Sequence, residues 1–439
     1  GDRNWGYDPA ALYAPSRAYG RPNDLRRLVD EAHGLGLSVF LDVIYNHLGP
    51  DGAYVAAFGP MFTDRHHTPW GGAMNLDDRD SDGVRAMFID NALHWLREYH
   101  LDGLRLDATD TLIDSSPRHF LAQLSEAVAQ LEGFRRFLIA EDARNINTLI
   151  RPRDAGGYGI DALWADDFHH QIRNITAGDA EGYYQDYDGS TMREVAETIR
   201  HGWYFDGRPS PTSGKIRGTP FEGVTHDQCV IAIQNHDQVG NRPAGNRLTT
   251  EIDPAEYRAI SALLLFLPHL PLLFMGQEWA ATTPFLFFTD HNEELGRLVT
   301  EGRRKEFAPF KGFGGEVPDP QDPATFEMSK LEWEEADRSP HRQVLALYRE
   351  LLRLRPNLGG ALECMALGDR AISVRRGRHH LVATLDPADD LPVPSGARIT
   401  LHTEEPAFVP DGMPPQVRGD TVRFHRAGAL ICEDNGASL

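Results

Sequence analysis

Four short clusters of chemically capable side chains are spaced along the 439-residue chain. They are Asp42-Val43-Ile44-Tyr45-Asn46-His47, Gly103-Leu104-Arg105-Leu106-Asp107, Ala140-Glu141-Asp142 and Gln234-Asn235-His236-Asp237-Gln238. Cleaving a glycosidic bond with retention needs a carboxylate that attacks the anomeric carbon and a second carboxyl that protonates the leaving oxygen, about 5–5.5 Å apart. The acid needs a raised pKa and the nucleophile a lowered one. Arg105 precedes Asp107 by two residues, a spacing that puts both side chains on one face of a strand. A guanidinium there would keep Asp107 ionised. His47 and His236 have imidazoles that can hydrogen-bond sugar hydroxyls. Taken singly, each cluster is an ordinary loop, surface ion pair or helix N-terminus. Four of them in this order, each closing an apolar run, point to one site.

The runs they close are 38–45, 104–106, 137–140, 162–164, 230–233 and 272–275, and helical patterns at 22–35, 83–99, 117–131, 192–201 and 254–267 lie between them. Such alternation predicts βα units around a parallel sheet. Buried parallel strands read as unbroken apolar stretches, as these do. In barrels of such units the catalytic groups gather at the C-terminal ends of the strands, where the clusters fall. Six strand ends are too many for a small open sheet and too few for a closed (β/α)8 barrel. Beyond residue 355 the pattern changes to strands at 374–382, 398–401 and 417–424, separated by Gly, Pro and Asp clusters such as 387–396. The expected organisation is a catalytic barrel domain over 1–355 and an antiparallel β domain over 356–439.

A formal net charge of −21 argues against nucleic acid or an anionic membrane as a partner. The richest apolar stretch, 262–275, is interrupted by Pro268, His269 and Pro271 and is too short to span a bilayer. The opening residues do not read as a signal peptide. Cys229, Cys364 and Cys432 form neither a disulfide framework nor a paired CxxC zinc site, and the expected setting is cytoplasmic with reduced thiols.

In order and content the four clusters resemble the four sequence regions of the α-amylase family of α-glycosidases, over essentially the whole chain. The resemblance implies a TIM-type (β/α)8 barrel. It makes Asp107 the nucleophile, Glu141 the general acid/base and Asp237 the third carboxylate, which grips sugar hydroxyls. Arg105, His47 and His236 complete the donor-sugar site, and Tyr7 in Trp5-Gly6-Tyr7-Asp8-Pro9 is similar to the tyrosine that stacks on that sugar. Trp5–Pro9, Tyr13-Ala14-Pro15-Ser16, Tyr19-Gly20 and Asn46-His47-Leu48-Gly49-Pro50 resemble branching enzymes, isoamylases and maltooligosyltrehalose trehalohydrolases. The segments 234–242, 274–278, 302–307 and above all Pro284-Phe285-Leu286-Phe287-Phe288-Thr289-Asp290-His291 look most like the trehalohydrolases. Such enzymes hydrolyse the α-1,4 bond next to a terminal trehalose unit. The alternative is glycogen branching or debranching, with the same carboxylates.

Specificity is then expected on the leaving-group side, with Asp110, Trp70, Trp203, Tyr204, Phe285, Phe288, Asp290 and His291 as candidates and part of the acceptor wall from 174–219. Many family members carry Lys-His after the nucleophile, whereas Ala108-Thr109-Asp110 stands here. The implied substrate is maltooligosyltrehalose, and the implied pathway neighbour a maltooligosyltrehalose synthase. No cofactor is expected. No metal is expected either, although Asn46 matches a position that helps bind calcium in many α-amylases. The run 38–45 matches the third barrel strand of the family and Trp5–Pro9 the segment after the second. Only strands three to eight are therefore expected, the N-terminal part of the barrel being missing.

Overall fold

The computed structural model describes residues 1–307 and 317–434, and the chain divides into two compact units. The first comprises Gly1–Trp164, Gly218–Cys229 and Phe288–Gly296; the second comprises Ala165–Arg217, Val230–Phe287 and Arg297–Leu439.

In the first unit, helix α1 (Pro22–Gly34) begins with proline, whose missing N–H costs nothing in the first turn. The Asp24 side chain accepts from the Arg21 N–H at 2.8 Å and closes that end. Strand β1 (Phe40–Val43) follows, then a hairpin of β2 (Phe62–Thr68) and β3 (Gly71–Met74). Helix α2 (Ser81–Glu98), strand β4 (Gly103–Leu106), helix α3 (Phe120–Ala129), strand β5 (Phe137–Glu141) and strand β6 (Ala162–Trp164) complete its regular elements. Strands β1, β4, β5 and β6 pair in parallel in that order. Every residue of β4 is buried, as a strand covered on both faces must be. Leu104, Leu106, Leu138, Ala140 and Leu163 form the interior of this sheet. Phe88 on α2 packs against Tyr45 and against Phe120 of α3 at ring-centre distances of 5.0 and 6.2 Å.

The second unit contains helices α4 (Asp167–Ala177) and α5 (Met192–His201), with a Thr191–Glu194 capping box at the start of α5. Strand β7 (Cys229–Ile231), of which Val230 and Ile231 lie in this unit, is followed by the short helix α6 (His236–Gly240). Helix α7 (Pro254–Phe266) is buried along almost its whole length. Strand β8 (Leu270–Pro271) pairs in parallel with β7, Val230 opposite Leu270. Helix α8 (Glu293–Phe307), whose part from Arg297 onward lies in this unit, and helices α9 (Pro323–Met328) and α10 (His341–Leu354) precede eight antiparallel strands. Those are β9 (Leu362–Ala366), β10 (Ala371–Arg376), β11 (His379–Thr384), β12 (Ala388–Pro392), β13 (Arg398–His402), β14 (Gln416–Arg418), β15 (Thr421–Phe424) and β16 (Gly428–Glu433). They form a five-stranded sheet, β13-β16-β11-β10-β9, and a three-stranded one, β12-β15-β14. Val382, Leu430, Val422 and Phe424 belong to the shared core of these sheets.

Six strands of the parallel kind are thus present among the described residues, in the places the apolar runs predict, with one shift. The run expected at 272–275 gives a strand at 270–271, where Leu272 N–H still donates to Ile231 O at 2.8 Å. Pro271 has no N–H to donate, so the ladder is brief. Two expected long strands are each a hairpin. The span 374–382 turns at Gly377 and 417–424 turns at Gly419, with φ of +58° and +64°, values that an L side chain resists. The cluster 387–396, read as a separator, holds β12.

Candidate active site

Parallel register, not linear spacing, assembles the site of the first unit. Asp42 on β1 lies opposite Arg105 on β4, and Leu106 lies opposite Ala140 on β5. Asp107 and Glu141 therefore follow at the C-terminal ends of adjacent strands. Arg105 joins them. Its Nη1 donates to both Asp42 carboxylate oxygens at 2.7 Å and to Asp107 Oδ1 at 2.7 Å. Its Nη2 lies 2.6 Å from Glu141 Oε2. The guanidinium side chain is only 7% exposed and packs over the rings of Trp164 and Tyr7 at 4.5 and 5.9 Å. Burial disfavours its cation, but Glu141, Asp42, Tyr7 and Asp107 together outweigh that and raise its pKa.

Other groups fix the carboxylates in turn. Tyr7 Oη donates to Asp42 Oδ2 at 2.7 Å, and burial with the nearby Asp42 charge pushes the phenol pKa up. Burial also raises the Asp42 pKa, against the pull of Arg105. Glu141 Oε2 accepts from the Ala108 N–H at 3.0 Å. That N–H points there because Ala108 is left-handed, at φ 39° and ψ 55°, a strained conformation for a side chain with a Cβ. Thr109 Oγ1, 2.9 Å from both Glu141 O and Asp142 Oδ2, ties the two strand ends together. His47 Nε2 meets Tyr7 O at 2.8 Å, and its ring stacks flat on Trp70, 4.6 Å between centres and 6° between planes.

Of the residues expected on the leaving-group side, Asp110 is partly buried, and burial followed by the Asp142 charge raises its pKa. Asp290 is engaged by Arg3 Nη2 at 2.9 Å and by the Asp2 N–H at 2.6 Å. His291 Nε2 lies 3.6 Å from Asp8 Oδ2. These two residues tie the 288–296 segment to the start of the chain.

In the second unit, α6 presents His236 and Asp237, both partly buried. Asn235 caps this helix by accepting from the Asp237 and Gln238 N–H groups. Asp237 Oδ1 accepts from Asn241 Nδ2 at 2.7 Å. Trp203 is fully buried and Phe288 nearly so, which removes both as surfaces for a sugar. Tyr204 and Phe285 are partly buried, each holding a backbone N–H bond to Asp167 or to Gly245.

The sequence reading did not single out Asp42, Trp164 or Thr109 as site residues. Asp42 lies in the first cluster, but its pairing with Arg105 depends on register across two strands. Among the described residues no group of three or more His, Cys, Asp or Glu is placed to hold a metal ion.

The family model for the α-amylase catalytic domain matches residues 2–60. A malto-oligosyltrehalose trehalohydrolase of Deinococcus radiodurans is 50% identical over 361 residues, covering 81% of this chain and 58% of that protein. One of Rhizobium sp. strain M-11 is 41% identical over 401 residues, covering 89% of this chain and 67% of that protein. The chain belongs to the malto-oligosyltrehalose trehalohydrolase family. It spans about three fifths of the Deinococcus member's length. A solved structure described as a putative α-amylase from Salmonella typhimurium superposes with a TM-score of 0.88 at 37% identity, covering 99% of this chain and 74% of that one. The parallel strands are accordingly those of the TIM-type barrel of α-amylases, followed by antiparallel sheets. In this chain Asp107 and Glu141 sit at the C-terminal ends of adjacent parallel strands, the side on which barrel enzymes gather their catalytic groups.

Proposed function

We propose that the protein hydrolyses the α-1,4-glucosidic bond next to the terminal trehalose unit of maltooligosyltrehalose, releasing trehalose and a maltooligosaccharide. The observation that carries the reading is the single guanidinium of Arg105 in contact with both Asp107 and Glu141. The names of the relatives supply the substrate class.

In this reading Asp107 attacks the anomeric carbon as Glu141 protonates the departing trehalose oxygen. Glu141 then takes a proton from water, which releases the glucan with retained configuration. Two donors at Glu141 Oε2 suit the ionised form that acts in the second step. Tyr7 and His47 face the donor sugar together with Arg105. By the family motif Asp237 is the third carboxylate and His236 a hydroxyl ligand. Asp110, Trp70, Asp290 and His291 remain the candidates for recognising the trehalose side.

The reaction consumes what a maltooligosyltrehalose synthase would make, and a cytoplasmic site of action fits the cysteines. All three are buried and unpaired, and burial raises the Cys364 and Cys432 thiols to about 12 and about 11. No helix among the described residues is long and apolar enough to cross a membrane.

The test is incubation with maltotriosyltrehalose and, separately, with maltopentaose, with products separated by chromatography. Release of trehalose and maltotriose with little cleavage of maltopentaose is expected. New α-1,6 linkages in amylose without free trehalose would replace this reading by the branching one.

A further inference from the structure

Asp237 is held through a chain of contacts that ends 62 positions beyond Asn241, at Arg303 on α8. Arg303 Nη1 donates to Asn241 Oδ1 at 3.0 Å, and its Nη2 donates to Gly240 O at 3.0 Å. Arginine has donors only. The oxygen of the Asn241 amide must therefore face Arg303, and its NH2 must face Asp237. The guanidinium and the acceptor-only carboxylate thus fix the same amide orientation from opposite ends. The guanidinium is itself fixed: it lies over the rings of Phe287 and Phe307 at 4.7 and 4.6 Å and meets Glu306 Oε2 at 2.9 Å. Its side chain is 12% exposed.

The turn is pinned from its next residue as well. Arg242 donates to Asp179 and Glu251, each at 2.9 Å. The buried Arg173 meets the same two carboxylates at 2.6 and 2.5 Å. With Gly240 O held by Arg303 and the Arg242 side chain held by two carboxylates, the Asn241 amide is fixed between Arg303 and Asp237.

We infer that Arg303 is a positioning residue for Asp237, acting through the Asn241 amide. The inference rests on the proposed reading of Asp237 as the third carboxylate. Arg303 touches no reacting atom. It sets the rotamer of a group whose hydrogen bonds to the sugar strengthen in the transition state, and such groups act on kcat more than on KM. Its stack on Phe287 also links Asp237 to that ring.

The experiment is a double-mutant cycle of Arg303→Met and Asn241→Ala, with kcat and KM measured on maltotriosyltrehalose. Methionine keeps the length and the apolar contact with Phe287 and Phe307 and removes the donors. Each single variant is expected to lower kcat about ten- to hundredfold with KM within about threefold. The double variant is expected to fall within about twofold of the lower single one. Multiplying losses, or an unchanged kcat in Arg303→Met, would overturn the inference.

If Arg303→Met does not fold, Asn241→Asp decides. It keeps an acceptor for Arg303 and puts a second carboxylate against Asp237, which disfavours the ionised form of Asp237. The acid limb of kcat/KM is expected to move to higher pH, and an unmoved limb would overturn the inference. If the wild-type protein releases no trehalose but cleaves or branches amylose, the proposed activity fails, and the cycle run on that reaction still tests Arg303.

Discussion

Arg105 Nη2 lies 2.6 Å from Glu141 Oε2. The same guanidinium pairs with Asp42 and Asp107, so three carboxylates share one buried cation. Removing it leaves them uncompensated, and breaking a buried ion pair from one side costs about 3–5 kcal/mol. Arg105→Met is expected to lower the Tm by several degrees and to abolish turnover. Arg105→Lys keeps the charge but not the fork, so it is expected to keep most of the stability and to lose about a hundredfold or more in kcat. Adding Asp42→Asn to Arg105→Met removes one uncompensated charge and is expected to recover part of the lost Tm. Thermal unfolding of the four proteins checks the set, and a further drop in the double variant would count against a shared cation.

Glu141→Gln keeps the shape of the side chain and loses the proton. A positioned general acid contributes about 10²–10⁴-fold, and a loss in that range is expected for release of trehalose, whose oxygen must leave protonated. An α-maltosyl fluoride needs no proton from an acid to leave, and the variant is expected to form the glycosyl-enzyme from it with a much smaller loss. Added azide is then expected to take up the glycosyl group and give an α-glycosyl azide, detectable by NMR. Equal losses on both substrates would take the acid role away from Glu141.

Much of this site could be read from the chain because each cluster ends an apolar run, and such runs become parallel strands with their polar ends on one side. The Asp107 and Arg105 pairing follows from a spacing of two along β4. What the sequence could not show is everything set by register or by distant packing. The Arg105 contacts with Asp42 and Glu141 depend on which strand residues face one another. The Asn241 contact with Arg303 spans 62 positions with no periodicity to announce it. Two of the aromatic candidates misled for a related reason. Trp203 and Phe288 are the residue types that bind sugars, but they are also the types that fill cores, and burial decides between the two.

Trp70 keeps about half of its surface exposed while one face covers His47. A stacked aromatic pair contributes about 0.5–1.5 kcal/mol beyond its area. Trp70→Ala frees the imidazole that holds Tyr7 O, and a loss of about three- to tenfold in kcat/KM is expected. Trp70→Phe keeps a flat face and is expected to retain most of the activity. Steady-state kinetics of both variants on maltotriosyltrehalose decide it, since equal losses would mean that the indole nitrogen or the bulk of the side chain matters, and not the stack.

Acid stability of the first unit is expected to depend on Asp77. Its side chain is 2% exposed. Burial works against its charge, but the Ser115 hydroxyl and N–H and the His66 ring overcome that and lower its pKa from 3.8 to about 2. A carboxyl with a lower pKa when folded binds its proton more readily when unfolded, so its stabilising contribution is complete above about 4 and is lost as the pH falls towards about 2. Asp77→Asn cannot titrate. It is expected to be less stable than the wild type at pH 6, with the difference shrinking between pH 4 and pH 2. Urea denaturation at pH 6, 4, 3 and 2 measures that difference directly. A gap that stays constant across this range would assign the loss at neutral pH to a misplaced amide and not to the charge of Asp77.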